Sequence, residues 1–327
     1  MKRSKASILL TAAVAGMLTA SLATSASADP TPQPRDIVGV GSDTSEVVMN
    51  YLADGAVAGG VFAGGFNSTA NARLVSFDAT GSATIVPKAG QAAATRPNGS
   101  TAGKAVLFGG SNNANFNFAR SSSGPSAAES SAGLWHVPFA LDGLKMATAT
   151  ASSAPASLTI AQVVSIYNGT VTNWSQLGGT AGTIVPMLPQ SGSGTRSFFL
   201  GQLKAANGNV DVVLAGTVQS VQEHDSAPIA ANANAIAPFS TARFATQATG
   251  IKLQGGFAAE RAMYNVVRAA DLSKGWYTQT FGPSGFLCGG AGQTLIQAAG
   301  FQQLAGSRDG GVCGVATQTA TTNFVVN

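Results

Sequence analysis

Short apolar runs that end in Gly/Ser/Thr turns and lead into amphipathic segments recur along the chain. Asp36-Ile37-Val38-Gly39-Val40 reads as a buried strand that ends in Gly41-Ser42-Asp43-Thr44. Val47, Val48, Tyr51 and Leu52 then place one apolar face at helical spacing, and Asp43 with Glu46 has the spacing of a capping box. The same grammar predicts a helix after Thr159-x-x-Gln162, with Ile160, Val163, Val164 and Tyr167 on one face and Gly169 as its stop. Around residue 190 a strand, Ile184 to Leu188, meets the tight turn Gln190-Ser191-Gly192-Ser193-Gly194-Thr195, and Ser197 to Leu203 continues as an apolar helix. Strands alternating with helices predict an α/β architecture. The Gly/Ser/Ala stretches at 54–70 and 121–133 read as loops, and no internal repeat is visible.

Of the 327 residues, 45% are hydrophobic and 10% charged. That balance excludes a disordered chain and leaves room for one large domain or two lobes. Two cysteines and two histidines lie too far apart in sequence for any standard ligand spacing, so neither a metal site nor a cofactor is expected. The basic excess changes once the first residues are read as a secretory signal: Lys2, Arg3 and Lys5, an apolar stretch from Ala6 to Leu22, and Ala26-Ser27-Ala28 as the cleavage pattern. A retained membrane anchor fits less well, because Thr11 and Thr19 break the apolar run. Removing 1–28 takes Lys+Arg from 18 to 15 against 14 Asp+Glu, so the net charge falls from +4 to +1. A nucleic-acid partner loses its support. No later segment reaches membrane-spanning length, and no cysteine near the cleavage site could carry a lipid. The expectation is an exported protein, extracellular or periplasmic. In an oxidising compartment Cys288 and Cys313 are expected to pair, a structural bridge contributing about 3 kcal/mol.

Most motif candidates fail. Gly39-Val40-Gly41 opens a dinucleotide-type turn but has Thr44 at the third glycine position. Gly99-Ser100-Thr101-Ala102-Gly103-Lys104-Ala105 has one residue too few between its glycines for a phosphate-binding P-loop. No G-x-S-x-G exists, and only His136 and His224 could serve as a base. What these turns share is small hydroxyl residues and glycines ahead of a helix, an arrangement that gathers N–H groups and hydroxyls for a tetrahedral oxyanion. Ser42-Asp43-Thr44, Gly99-Ser100-Thr101, Arg120-Ser121-Ser122 and Ser193-Gly194-Thr195-Arg196 all have this character. Each alone reads first as an ordinary helix cap or loop; four together, two with an Arg attached, shift the balance toward an anion. Trp135, Trp174 and Trp276 read as packing residues, His136 as a hydrogen-bonded structural residue, and Arg96 as a weak candidate for the cleft.

Ser191-Gly192-Ser193-Gly194-Thr195-Arg196 resembles the G-S-G-T-[TR] turn of the phosphate-binding proteins of bacterial ABC transporters. Tyr167-Asn168-Gly169-Thr170-Val171-Thr172-Asn173-Trp174 is similar to that family's Y-x-G-K-I-x-x-W segment, and Asn234-Ala235-Ile236-Ala237-Pro238-Phe239 resembles its later G-A-I-G-Y stretch. The resemblance spans about 37 to 268. It implies a two-lobed type II periplasmic-binding-protein fold that closes on dehydrated phosphate, with no catalytic residue. The expected lobes are 36–143 plus 240–327 and 144–239, in a monomer serving an ABC permease or capturing phosphate outside the cell. Ser193, Gly194 and Thr195 match the cradling turn. Ser100 matches the serine of the family's G-S-x-G-G helix start, where Ala102 replaces a glycine. Asp43 and Thr44 fall at the first strand-to-helix turn, and Arg120 and Ser121 flank Ser122, where some members place a proton-accepting Asp.

Two departures matter. Pro189 stands where some members have an arginine, and Arg196 falls where others place it. Ser122 removes a carboxylate acceptor, although telling hydrogen phosphate from sulfate calls for one, since sulfate has no proton to give. Asp43 is the first sequence candidate for that acceptor and Asp225, in Glu223-His224-Asp225, the second. The alternatives are a secreted phosphoester hydrolase and a surface or matrix protein that keeps the fold without transport.

Overall fold

The computed structural model describes residues 29–304, 311–319 and 324–326; the segment 1–28, expected to be a secretory signal, lies outside the described residues. The main sheet runs in the order Gln219–Val221, Val185–Pro189, Ala235–Ser240, Leu134–Ala149, Ile251–Arg268, Phe118–Ser121, Ile37–Gly41, Leu74–Ser76. The first three strands are parallel to one another, as are the last three. Between them the two long strands pair antiparallel, with their neighbours antiparallel to them. Each short parallel triplet takes helices from the strand-turn-helix units read in the sequence.

Register decides where these triplets end. Ser121 pairs with Tyr264, and Ser240 pairs with Leu144. Both triplets therefore direct their carboxyl ends at the short stretch of the long strands around 139–143 and 260–263. Asp142 and Arg261 are direct cross-strand partners there.

The cores lie on either side of that stretch. Val48, Met49, Leu52, Phe118, Phe139, Met263 and Phe281 pack in one cluster, with Val38, Val40, Phe77 and Tyr264 in another beside the same strands. Val163, Tyr167, Trp174, Leu188, Phe199, Ile236 and Phe257 form the opposite core, and Met187, Phe239 and Ile251 extend it. Strand Ile251–Arg268 thus gives Phe257 to one side and Met263 to the other. The result is a two-lobed α/β fold whose halves share two continuous strands. Among the described residues no helix is long and apolar enough to cross a membrane, and no group of three or more His, Cys, Asp or Glu is placed to hold a metal ion.

Several local expectations hold. The capping box at Thr159 and Gln162 forms, and Gly169 (φ 81°) follows the helix end. The strand expected at 184–188 is Val185–Pro189, and its helix extends over Gly194–Ala206. Trp174 is buried in the second core, and Trp135 and Trp276 pack at the edge of the first.

Others are corrected. The 54–70 stretch contains a hairpin, Ala56–Ala58 with Val61–Ala63, turning through Gly59 and Gly60. Within 121–133, Ser126 and Glu129 form a capping box for the helix Ala127–Ser131. The box expected at Asp43 and Glu46 is absent. Ser45 takes the N-cap position without a side-chain bond, because the Glu46 carboxylate is drawn away to the Ala79 N–H (3.0 Å) and to Arg243. Arg96 faces away from the cleft, donating to Ser82 O, Asp78 O and Asp29. His136 is buried and structural, its backbone paired with Thr317, but its ring nitrogens have no hydrogen bond among the described residues: the ring lies edge-on to Tyr264, with Nε2 3.6 Å from Glu129.

The described structure contains the Cys288–Cys313 bridge, with a Cα separation of 5.7 Å across 25 residues of sequence. Replacing both cysteines by Ser is expected to lower the unfolding free energy by about 3 kcal/mol in denaturant titration. A change below about 1 kcal/mol would contradict a stabilising role.

Burial, and then the charge of Lys104, push the His136 pKa down to about 3. The unfolded chain takes up this proton near pH 6.5 and the folded chain does not, so stability is lost as pH falls through that window. The stability of the natural protein relative to His136→Gln should fall by about 1.4 kcal/mol per pH unit from about pH 6.5 toward 3. Parallel pH curves for the two proteins would refute this.

Candidate functional site

Turns from both triplets meet where the parallel strands end. Strand Ile37–Gly41 runs into Ser42, Asp43, Thr44 and Ser45, all buried. Strand Phe118–Ser121 runs into Ser122, whose N–H donates to Ser100 Oγ at 3.0 Å. The Ser122 hydroxyl lies 3.2 Å from Ser42 Oγ and 3.3 Å from Ser100 Oγ. From the other side, the helix Gly194–Ala206 starts at Ser193, whose Oγ accepts the Arg196 N–H at 3.0 Å. Its first turn presents Thr195, whose hydroxyl lies 3.2 Å from that of Thr44.

Close backbone approach explains two glycines in these turns. A Cβ on Gly194 would lie 2.3 Å from both Ser100 Oγ and Ser122 Oγ, so a side chain there would force the two sides apart. Gly103 passes Gly41 so closely that its Cβ would sit 2.5 Å from the Gly41 Cα.

Arg261 is the residue that sequence reasoning missed. It is 1% exposed, and its Nη2 donates to Thr195 Oγ1 at 2.7 Å and to Asp142 Oδ2 at 3.1 Å. Nη1 reaches Ser122 O at 3.4 Å, and the guanidinium stands 5.3 Å from the Phe198 ring centre. Asp142 in turn accepts the Ser240 hydroxyl at 2.6 Å and the Ala242 N–H at 3.4 Å, which ties in the N-terminus of helix Thr241–Gln247. No motif surrounds either residue, and each has another charge close by in its strand, Lys145 for Asp142 and Glu260 for Arg261.

The two arginines taken from the sequence point elsewhere. Arg120 is fully buried behind the first turn, donating to Ser42 O at 2.9 Å, to Phe77 O at 2.8 Å and to the Ser76 hydroxyl. It fixes the turn's shape. Arg196 sends Nη1 back to Pro189 O at 2.9 Å, closing its own strand-to-helix turn. Ser121 donates to Ser123 O at 2.8 Å.

Carboxylates crowd the same space. Asp43 stands 3.4 Å from Arg243 Nη2, which also contacts Glu46 Oε1 at 3.3 Å. Burial, reinforced by Glu46, holds the Asp43 carboxyl well above the usual carboxylate range. Burial also raises Asp142, against the lowering effect of Arg261. Glu223 is 1% exposed; its Oε1 accepts the Thr44 hydroxyl at 3.0 Å and the Thr195 N–H at 3.3 Å. His224 Nδ1 accepts the Ser240 N–H at 3.5 Å, which leaves Nε2 to carry the ring proton 3.1 Å from Thr44 Oγ1. Burial, with Arg243 and Arg261 nearby, keeps this ring neutral by lowering its pKa well below the usual value. Asp225, the second sequence candidate for an acceptor, is exposed and caps the Ala227 N–H.

The profile of the PBP superfamily domain matches residues 27–321. The chain belongs to the PBP superfamily. Solved structures similar to it include a phosphate ABC transporter substrate-binding protein from Clostridium perfringens, described with bound phosphate. It is 20% identical over 82% of this chain and 99% of that one, with a TM-score of 0.59. An ABC-type phosphate transport receptor from Vibrio cholerae is 19% identical over 82% of this chain and 100% of its own, with a TM-score of 0.54. A phosphate-binding protein from Stenotrophomonas maltophilia is 14% identical over 83% and 91%, with a TM-score of 0.55. At these identities the shared property is the superfamily fold. No curated protein matches the chain.

In this superfamily member the Asp142–Arg261 pair joins both sides of the cleft. Asp142→Ala is expected to cost about 3–5 kcal/mol, because it leaves a buried guanidinium without its counter-charge. Denaturant unfolding measures this, and a loss below about 1 kcal/mol would show that the pair is dispensable.

Proposed function

We propose that the protein is an exported solute-binding protein that holds inorganic phosphate between its lobes, for uptake by an ABC permease or capture outside the cell. The observation that carries this reading is the meeting of Thr44 and Thr195 at 3.2 Å beside Arg261, within a ring of buried hydroxyls. The phosphate relatives with the same fold support it. The proposed lobes are 36–143 with 240–327 and 144–239, working as a monomer, with one correction from the long strands that link them: Ile251, Phe257 and Ala259 pack in the core of the second lobe.

A dehydrated oxyanion needs donors that replace its water shell without requiring new charge. The hydroxyls of Ser42, Ser100, Ser122, Ser193 and Thr195 supply them, with the N–H groups at the start of the Gly194–Ala206 helix, while the Thr44 hydroxyl donates to Glu223 at the edge of the same ring. Arg261 contributes the positive charge. Arg120, Ser121 and Arg196 shape the turns that carry these donors. No covalent step is involved.

Calorimetric titration of the chain lacking 1–28 is expected to show phosphate binding and at least about hundredfold weaker sulfate binding. Thr195→Ala and Arg261→Lys should each weaken phosphate about tenfold or more, the scale of one charge-assisted hydrogen bond. Equal or absent binding of the two anions would overturn the assignment, and unchanged affinity in both variants would move the site.

A further inference from the structure

Hydrogen phosphate differs from sulfate in having a proton to donate, so a site that separates them needs a buried group that accepts and cannot donate. Ser122 does not meet that requirement. A hydroxyl can turn and offer its own hydrogen to sulfate, whereas a carboxylate presents lone pairs alone.

Each of the carboxylates around the cleft can be weighed by what its oxygens already do. Asp142 is engaged at both: Oδ1 takes the Ser240 hydroxyl and the Ala242 N–H, and Oδ2 takes Arg261. Glu46 is likewise engaged, with Oε2 on the Ala79 N–H and Oε1 on Arg243. Asp43 Oδ1 also lacks a hydrogen-bond partner among the described residues, but it stands 3.4 Å from the Arg243 guanidinium, and its burial beside Glu46 favours the protonated form, which donates rather than accepts. Asp225 is exposed.

Glu223 differs from the other buried carboxylates of the cleft in having no Lys or Arg at ion-pair distance among the described residues. Its Oε1 is fixed by the Thr44 hydroxyl from one side and the Thr195 N–H from the other, while Oε2 has no hydrogen-bond partner among the described residues. The carboxylate therefore stands at the first turn of a thirteen-residue helix, beside the hydroxyl ring, with a buried oxygen free to accept.

The local backbone is built to hold it there. The Glu223 N–H donates to Gln190 Oε1 at 2.7 Å, which ties this turn to the turn carrying Ser193. Gln190 and Gln222 both bond Asn98, next to Gly99 and Ser100 on the opposite side. His224 adopts φ 57°, a left-handed conformation that a non-glycine residue takes at a cost, so that Glu223 turns inward while Asp225 faces solvent.

We propose that Glu223 Oε2 accepts the proton of the bound hydrogen phosphate and is the specificity-determining group against sulfate. This rests on the phosphate reading above. Sulfate in the same position would bring an oxygen lone pair against the carboxylate, with no hydrogen between them.

The test is calorimetric titration of the natural protein and Glu223→Gln with inorganic phosphate and with sulfate at about pH 8. The natural protein is expected to prefer phosphate. In the Gln variant, whose amide can donate, sulfate should bind at least about tenfold tighter than it does to the natural protein, and phosphate about tenfold weaker, so that the preference collapses. A Gln variant that folds and keeps the natural phosphate-to-sulfate ratio overturns the inference and leaves the phosphate reading intact. Absent or equal binding of both anions by the natural protein overturns that reading and this inference with it. If the Gln variant shows no thermal unfolding transition, Glu223→Asp carries the test. Withdrawing the carboxylate by one methylene should cut the ratio at least about tenfold, and an unchanged ratio overturns the assignment.

Discussion

The contact on which the rest of the site depends is the cross-strand pair of Asp142 and Arg261. Antiparallel register sets them side by side where both parallel triplets end, and each side chain then reaches a different part of the cleft. Arg261 extends to Thr195 and Ser122, and Asp142 to Ser240 and the start of the next helix. Burying two charges is costly, and a buried pair is weak support for stability by itself. Here its effect is positional. A slip of one residue in the long strands would turn both groups to the other face of the sheet and leave Thr195 without its donor.

A protein with 10% charged residues has concentrated several of them around one cleft. Asp43, Glu46, Asp142 and Glu223 are buried there with Arg120, Arg243 and Arg261. Most of that charge is absorbed internally: Arg120 by carbonyl oxygens, Arg243 by Asp43 and Glu46, Arg261 by Asp142. The surface left for an anion is then largely hydroxyl and backbone N–H, with one guanidinium whose charge is already balanced. Neutral dipoles fixed by the fold can hold an anion without the reorganisation that water would need. The near-neutral balance expected of a chain without 1–28 is thus no obstacle to anion binding, because the groups that matter are local.

The strand-turn-helix units were legible because their periodicity and their turns agree. At Thr159 the capping spacing, the apolar face and the stop at Gly169 all point to one helix, and it forms. At Asp43 and Glu46 the same spacing misled, since tertiary partners outcompeted the local cap: Arg243 and the Ala79 N–H lie far away in sequence. The long strands were not legible. Leu134–Ala149 is buried at nearly every position, so it lacks the alternation that marks a half-exposed strand. Asp142 and Arg261 therefore went unmarked in the sequence. The turns that carry Ser100 and Ser193 stood out because close approach requires glycine there, as the contacts of Gly194 and Gly103 show. The direction in which an arginine points has no such signature, and Arg196 and Arg120 turn to carbonyl oxygens of their own turns.

Placing the acceptor at Glu223 also changes how recognition would be divided. A carboxylate at the position of Ser122 would stand on the same side as Ser42 and Ser100, so that one lobe could distinguish the anions by itself. With Glu223, donors on the 42–44 and 100–122 turns face an acceptor on the opposite turn. The Glu223 carboxylate is itself oriented by Thr44 from across the cleft. Neither side then holds a complete set of partners for a protonated tetrahedral anion. The correct ligand would be the one that satisfies both at once, and differential affinity for the closed arrangement is what shifts a two-lobed protein toward it. Selectivity and closure would then rest on the same contact between Thr44 and Glu223.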